Sequence, residues 1–314
     1  MKRFMINFRK NGVILFLFLF LFSCAGTPKI TPIHISAGTE QLNKGNAFYQ
    51  KGCYRRALEF YMRAHELYTA SDQPDGVAMS LNNIASVYRG MGEPAEANAF
   101  YVKAAQIYQR TGDRTGLSRV LANRAAALID SGNLMEAENL INEATRIGPE
   151  TNSQSRISLL TSRGILMFKK GRFHEAETIL KQASAEADTS ASPAKMAATY
   201  FALGNLMMET KRYKEAAENY HAALKADRVS GFYKGIADDL AALGSAASAG
   251  GDADAAADFW ERSLLIYSLL GLNRERDEVA GYLKSLPGRT SDTITDFFLN
   301  KWNKGKRLEN PCED

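Results

Sequence analysis

The sequence predicts an all-α chain built as a stack of six helical hairpins, a solenoid with a period of about 40 residues. Three observations predict it. First, six alanines recur almost evenly: Ala57, Ala97, Ala137, Ala176, Ala216 and Ala256 stand 40, 40, 39, 40 and 40 residues apart, and a fixed period of this size is the signature of stacked repeats. Second, other positions keep the same register. A small residue precedes each alanine by twelve (Gly45, Ala85, Ala125, Gly164, Gly204, Gly244), another follows by seven (Ala64, Ala104, Ala144, Ala183, Ala223, Ser263), and a bulky one follows by four (Tyr61, Tyr101, Ile141, Leu180, Tyr220, Trp260). Small positions let two helix backbones approach and the bulky side chain fills what remains. Third, five units have glycine five residues before the alanine (Gly52, Gly92, Gly132, Gly171, Gly251), with Lys211 in the fifth unit, as suits the left-handed end of a first helix. Each unit reads as helix, turn, helix.

Taken in order, residues 1–23 have the parts of a secretory signal: a basic start, an apolar run from Val13 to Phe22, and the small Ser23. Ten apolar residues are too few for a membrane span, which needs about 20. The alternative reading is an uncleaved membrane helix or an amphipathic start. Leu21-Phe22-Ser23-Cys24 resembles the lipobox of bacterial lipoproteins. That resemblance implies cleavage before Cys24, acylation of its thiol (palmitate among the chains), and, with Ala25 rather than aspartate next, sorting to the outer membrane facing the periplasm. Several acyl chains anchor stably where one does not. Residues 24–37, with Pro28 and Pro32, read as a lipidated tether.

Residues 38–270 hold the six units. The paired small residues, the turn glycine and the aromatic after it (Tyr54, Phe173, Tyr213) resemble the tetratricopeptide repeat (TPR) family, in a long-repeat form whose surplus lies between units. The resemblance implies a right-handed superhelix whose first helices line a concave, peptide-binding groove. Counting back from each alanine gives the expected groove residues Asn46, Tyr49, Asn82, Asn83, Arg89, Ile129, Ile165, Phe168, Phe201, Asn205 and Met208. The first third of that groove is polar and its middle apolar, and aligned apolar groups of this kind mark a binding surface. The competing reading is that these side chains pack against neighbouring helices. Asn46, Asn83 and Arg119 fall where some TPR proteins place a carboxylate clamp, but Leu42 and Asn123 replace its other basic residues, so no clamp is expected.

Residues 271–288 read as a capping helix, since Arg274–Ser285 has helical character and Pro287-Gly288 ends it. In 289–314, Ile294, Phe297, Phe298 and Trp302 fall at helical spacing, as a lid on the last unit or a segment for a partner. Cys53 and Cys312, at opposite ends of the array, are expected not to pair.

Composition excludes some functions. The formal charge of +4 comes from Lys2, Arg3, Arg9 and Lys10; the remainder is balanced at 35 basic and 35 acidic residues. A phosphate backbone needs a basic footprint that is missing here, so no nucleic acid is expected. His34, His65, His174 and His221 are dispersed without metal-ligand spacing. The chain is therefore expected to be no enzyme, with no cofactor, metal or small-molecule substrate. The expected function is that of a periplasmic scaffold, lipid-anchored through Cys24, whose groove binds a helical or extended segment of envelope proteins, as in pilus-secretin assembly or recruitment of peptidoglycan enzymes. The alternative is a structural subunit of an outer-membrane machine that uses its convex face and C-terminal helix.

Overall fold

The structure, a computed structural model, describes residues 33–148, 153–190, 192–286 and 312. The signal, Cys24, most of the tether and most of the tail helix lie outside the described residues. Among the described residues there are thirteen helices and no strand. They form six hairpins: α1 (Ile33–Gln50) with α2 (Tyr54–Ala70), α3 (Pro74–Gly90) with α4 (Pro94–Thr111), α5 (Arg114–Asp130) with α6 (Leu134–Ile147), α7 (Ser153–Lys169) with α8 (Phe173–Ser190), α9 (Pro193–Glu209) with α10 (Tyr213–Ser230), and α11 (Tyr233–Ala249) with α12 (Ala253–Leu270). The thirteenth, α13 (Asn273–Lys284), follows. Helix α1 begins inside the stretch read as tether.

The repeat register is the packing register. All six recurrent alanines, and all six small residues seven positions later, have no exposed surface. The bulky residue between them lies over the small residue of the first helix. A Cβ added to Gly45, Gly164, Gly204 or Gly244 would fall 2.4 to 2.5 Å from Tyr61, Leu180, Tyr220 or Trp260 respectively. Such contact distances require glycine, or alanine with a shifted partner as at Ala85 and Ala125.

The turns also follow the sequence. Gly52, Gly92, Gly132, Gly171 and Gly251 have φ between +73° and +88°, and Lys211 takes the same left-handed conformation at φ +60°. Pro74, Pro94 and Pro193 open α3, α4 and α9, where the missing N–H costs nothing. Asp113 and Asp252 accept the N–H of Gly116 and Ala255, each at 2.9 Å, as caps.

Curvature comes from unequal packing of the two helix sets. First helices of successive units touch, most closely α5 with α7 and α7 with α9, whereas the second helices make no comparable contact. The first helices therefore line the inside of the curve. At the C-terminal end α13 covers the alanine-rich sixth unit: its Val279 and Leu283 are buried with Trp260, Leu264 and Tyr267.

The two ends meet. Gly52 in the first turn lies against Lys234 of α11, so close that an added Cβ would be 2.8 Å from the lysine Cβ. Gly92 in the second unit lies likewise against the Arg274 guanidinium of α13. Cys53 and Cys312 form a disulfide with S–S 2.02 Å and Cα–Cα 5.2 Å, which corrects the expectation that they stay apart. That expectation placed them at opposite ends of an open array. The superhelix instead brings its last units round onto its first.

Candidate functional site: the concave channel

The concave face encloses three adjoining cavities. The first, of about 210 Å³, is lined by Ser118, Arg119 and Asn123 of α5, Ser155 and Ser158 of α7, and Lys195 of α9. The second, about 190 Å³, shares Asn123, Ser158 and Lys195 with it and adds Arg89, Ile129, Thr161, Ile165 and Ala198. The third, about 280 Å³, shares Ala194 and Ala198 with the second and is walled by Tyr49 and Gln50 of α1, Phe201 of α9, Asp227 of α10, and Phe232, Asp238 and Asp239 at or in the start of α11. Helix α1 stands across from α9 here because the ends of the array meet. Shared lining residues make the three one channel.

Its chemistry changes along its length. Lys195 is half-buried, has no ion pair among the described residues, and burial lowers its ammonium pKa. Arg119 donates to the Tyr108 hydroxyl at 3.3 Å. In the middle, Arg89 pairs with Asp130 at 2.6 Å, both partly exposed. At the far end Asp238 is neutralised by Lys234 (2.7 Å) and accepts from the Tyr267 hydroxyl at 2.7 Å. Among the described residues neither Asp227 nor Asp239 has a cationic partner, although Asp227 accepts from the Ser230 hydroxyl at 3.4 Å. Burial pushes the Asp227 carboxyl up to about 7, and burial together with the charges of Asp227 and Asp238 pushes Asp239 up to about 9.

Eight of the eleven expected groove residues divide into three groups. Ile165, Phe168, Phe201 and Met208 are half-buried and packed on the central core, and of these Ile165 and Phe201 line the channel. Tyr49 is half-buried against Tyr54, ring centroids 5.5 Å apart, and Arg89 is exposed. Two are core residues instead. Ile129 is 4% exposed within the central core and only edges the second cavity, and Asn82 is 5% exposed with its amide bonded to Asn83 and Asn123 at 3.1 and 2.9 Å.

The asparagines have an internal use. Tyr61 donates to Asn46 at 2.8 Å, Tyr220 to Asn205 at 2.8 Å, and Tyr101 shares a 3.0 Å bond with Ser86. In units three and four the bulky residue is Ile141 or Leu180, with no hydroxyl, and the matching concave residue is Ala126 or Ile165. Buried hydroxyls need partners, so part of the polar-to-apolar change along the groove follows from the core tyrosines. Asn83 also donates to Asn46 at 3.4 Å, which joins α1 and α3 across the polar third.

Sequence reasoning did not single out Lys195, Asp227 or Asp239. Eleven residues after the recurrent alanine stand Tyr68, Tyr108, Gly148, Ala187, Asp227 and Tyr267, and Asp227 is the acid among them. Seventeen before it stand Glu40, Ser80, Val120, Leu159, Thr199 and Asp239, of which Glu40 is exposed and Asp239 is a buried acid. Departures from a repeat at buried positions were the available signal.

Among the described residues no helix is long and apolar enough to cross a membrane. Tetratricopeptide repeat profiles match residues 39–110 and 197–229. No curated protein matches the chain significantly. Among solved structures, a Rap protein complexed with competence and sporulation factor is similar at TM-score 0.60 and 14% identity, over 87% of this chain and 78% of that one. A STAND signal-transduction ATPase with a tetratricopeptide repeat sensor, from Pyrococcus horikoshii, is similar at TM-score 0.59 and 14% identity, over 88% of this chain and 44% of that one. The apo form of RapI is similar at TM-score 0.50 and 15% identity, over 77% and 94%. With the register and packing above, these matches identify the chain as an all-α solenoid carrying tetratricopeptide repeats.

Proposed function

We propose that this chain is a non-catalytic scaffold of the bacterial envelope, anchored to the outer membrane through acylated Cys24 and holding an extended segment of a partner protein in its concave channel. The observation that carries the binding part is the channel itself: continuous, lined by first helices of successive units, with half-buried Phe201 and Ile165 beside charged groups that no other described residue neutralises. Apolar anchors with a few fixed polar groups are how such sites hold a peptide. An extended strand suits it better than a helix, because the largest of the three channel cavities, walled by α1 and α9, holds about 280 Å³ and a helix with its side chains is about 10–12 Å across.

The anchoring part rests on the lipobox-like residues 21–24 and on the location they imply. The Cys53–Cys312 disulfide supports it, since such bonds persist outside the reducing cytosol. Proximity labelling from the anchored protein names the neighbours. A Phe168→Asp/Phe201→Asp variant that keeps its helical content should lose them, and retention of every neighbour would remove the groove reading. Cys24→Ser should move the protein out of the membrane fraction; unchanged fractionation would remove the anchor.

A further inference from the structure

The acidic end of the channel departs from the repeat twice, and both departures open the same space. In the first two units Tyr68 and Tyr108 lie over a small residue of the next helix, with an added Cβ on Gly76 or Gly116 falling 2.4 and 2.5 Å from the ring. The fifth unit keeps the small residue, Gly235, but sets Asp227 over it. Aspartate is several atoms shorter than tyrosine, and the third cavity lies there. At the second position Ser80 and Thr199 satisfy their hydroxyls on the carbonyls of Gly76 and Lys195, each at 2.9 Å. Asp239, only 1% exposed, lines the cavity with its Oδ2 unpartnered. A buried carboxyl without a hydrogen bond costs stability and is not retained for packing. A chain that breaks its own repeat at such a cost marks a site of function.

We propose that this cavity receives a cationic side chain, a guanidinium or primary ammonium group, carried by the extended segment that the channel holds, with Asp239 as its counter-ion. The inference deepens the groove reading above and rests on it. Charge complementarity identifies the occupant: among the described residues the carboxyls of Asp227 and Asp239 line this end without a cationic partner, while Lys234 is already paired with Asp238. Tyr49, Phe201 and Phe232 supply aromatic walls, against which a cation is further stabilised.

A proton moves when the site fills. Facing Asp239 are Asp227 and Tyr220 from α10, Asp238 and Lys234 from its own helix, and Tyr49 across the cavity from α1; Tyr267 of α12 holds Asp238. In the empty cavity burial and the two neighbouring aspartates keep the Asp239 carboxyl protonated at neutral pH. An arriving ammonium or guanidinium stabilises the carboxylate, and the carboxyl proton leaves to solvent. Binding therefore releases about one proton and strengthens as pH rises.

The test pans random octapeptides displayed on phage against the full chain in detergent micelles and against its Asp239→Asn variant. Peptides selected on the wild type are expected to carry Arg or Lys at one fixed place. A synthetic peptide of that sequence should bind Asp239→Asn about 10- to 100-fold more weakly. Replacing its basic residue with citrulline or norleucine should cost as much on the wild type and little more on the variant. Calorimetry in two buffers of different ionisation enthalpy should count the released proton. Should Asp239→Asn fail to fold, Asp239→Ser, the residue type of the second unit here, replaces it. Selected peptides without a fixed basic residue, or equal affinity for wild type and variant, overturn the inference and leave the groove reading standing. Enrichment of no peptide at all overturns both.

Discussion

Replacing Lys211 with glycine should stabilise the chain, a result opposite to the usual effect of adding glycine beside a helix. Lys211 occupies the turn where the other five units have glycine, and its φ of +60° puts an L-residue in the left-handed region. That conformation costs about 1–2 kcal/mol for a residue with a Cβ. Glycine removes the strain but gains freedom in the unfolded chain, worth about 0.4–1 kcal/mol in the other direction, so the net gain is about 0.5–1 kcal/mol. Nothing else is lost. The Lys211 side chain is exposed and makes no ion pair among the described residues, and its N–H bond to Met208 O at 3.0 Å is a backbone bond that glycine keeps. The converse change, Gly171→Lys, should by the same balance cost about 0.5–1 kcal/mol, since no atom lies within 4 Å of its Cβ position and only the φ of +73° opposes it. Urea unfolding followed by circular dichroism measures both, with melting points expected to move by a few degrees at most. Lys211→Gly lowering the midpoint, or Gly171→Lys leaving it unchanged, would show that backbone strain does not set these positions.

Asp239→Asn should raise stability at pH 8 and leave it nearly unchanged at pH 4. The folded-state pKa of about 9 lies above the ordinary carboxylate value, so the contribution is fully present below pH 4 and is lost as pH rises through 9; urea midpoints across that range check it, and parallel curves for the two proteins would contradict it. Tyr220→Phe should cost about 1 kcal/mol through loss of the 2.8 Å bond to Asn205, measured by the same unfolding assay. Alkylation of the unreduced, denatured protein should leave Cys53 and Cys312 unmodified in the intact mass spectrum, and either Cys→Ser variant should expose the other thiol.

Most of the architecture was legible because one period governs both turns and packing. Ala57 and its five counterparts mark the closest approach of each hairpin, and alanine or glycine is the residue type that approach leaves room for. The closing of the array was not legible. It depends on small rotations summed over six units, and nothing in the sequence near Gly52 or Lys234 records that they will touch. Hence the pairing of Cys53 with Cys312 went unforeseen, as did the wall that α1 gives the channel. Counting register gave Phe201, Ile165 and Ile129 alike, whereas the structure leaves the first two half-buried and Ile129 4% exposed in the central core. Asp227 and Asp239 were visible as oddities only in comparison with the other units, since their importance lies in what their positions usually hold.

The contact of Gly52 with Lys234 bears on how this protein could change over evolutionary time. Arrays of this kind ordinarily grow or shrink by duplicating or deleting a hairpin, at little cost to the rest. Here a seventh hairpin inserted anywhere would push Lys234 away from Gly52 and Arg274 away from Gly92, and would pull Cys312 from Cys53. The number six is held by the geometry of the loop itself, and variation is left to the side chains that face its interior.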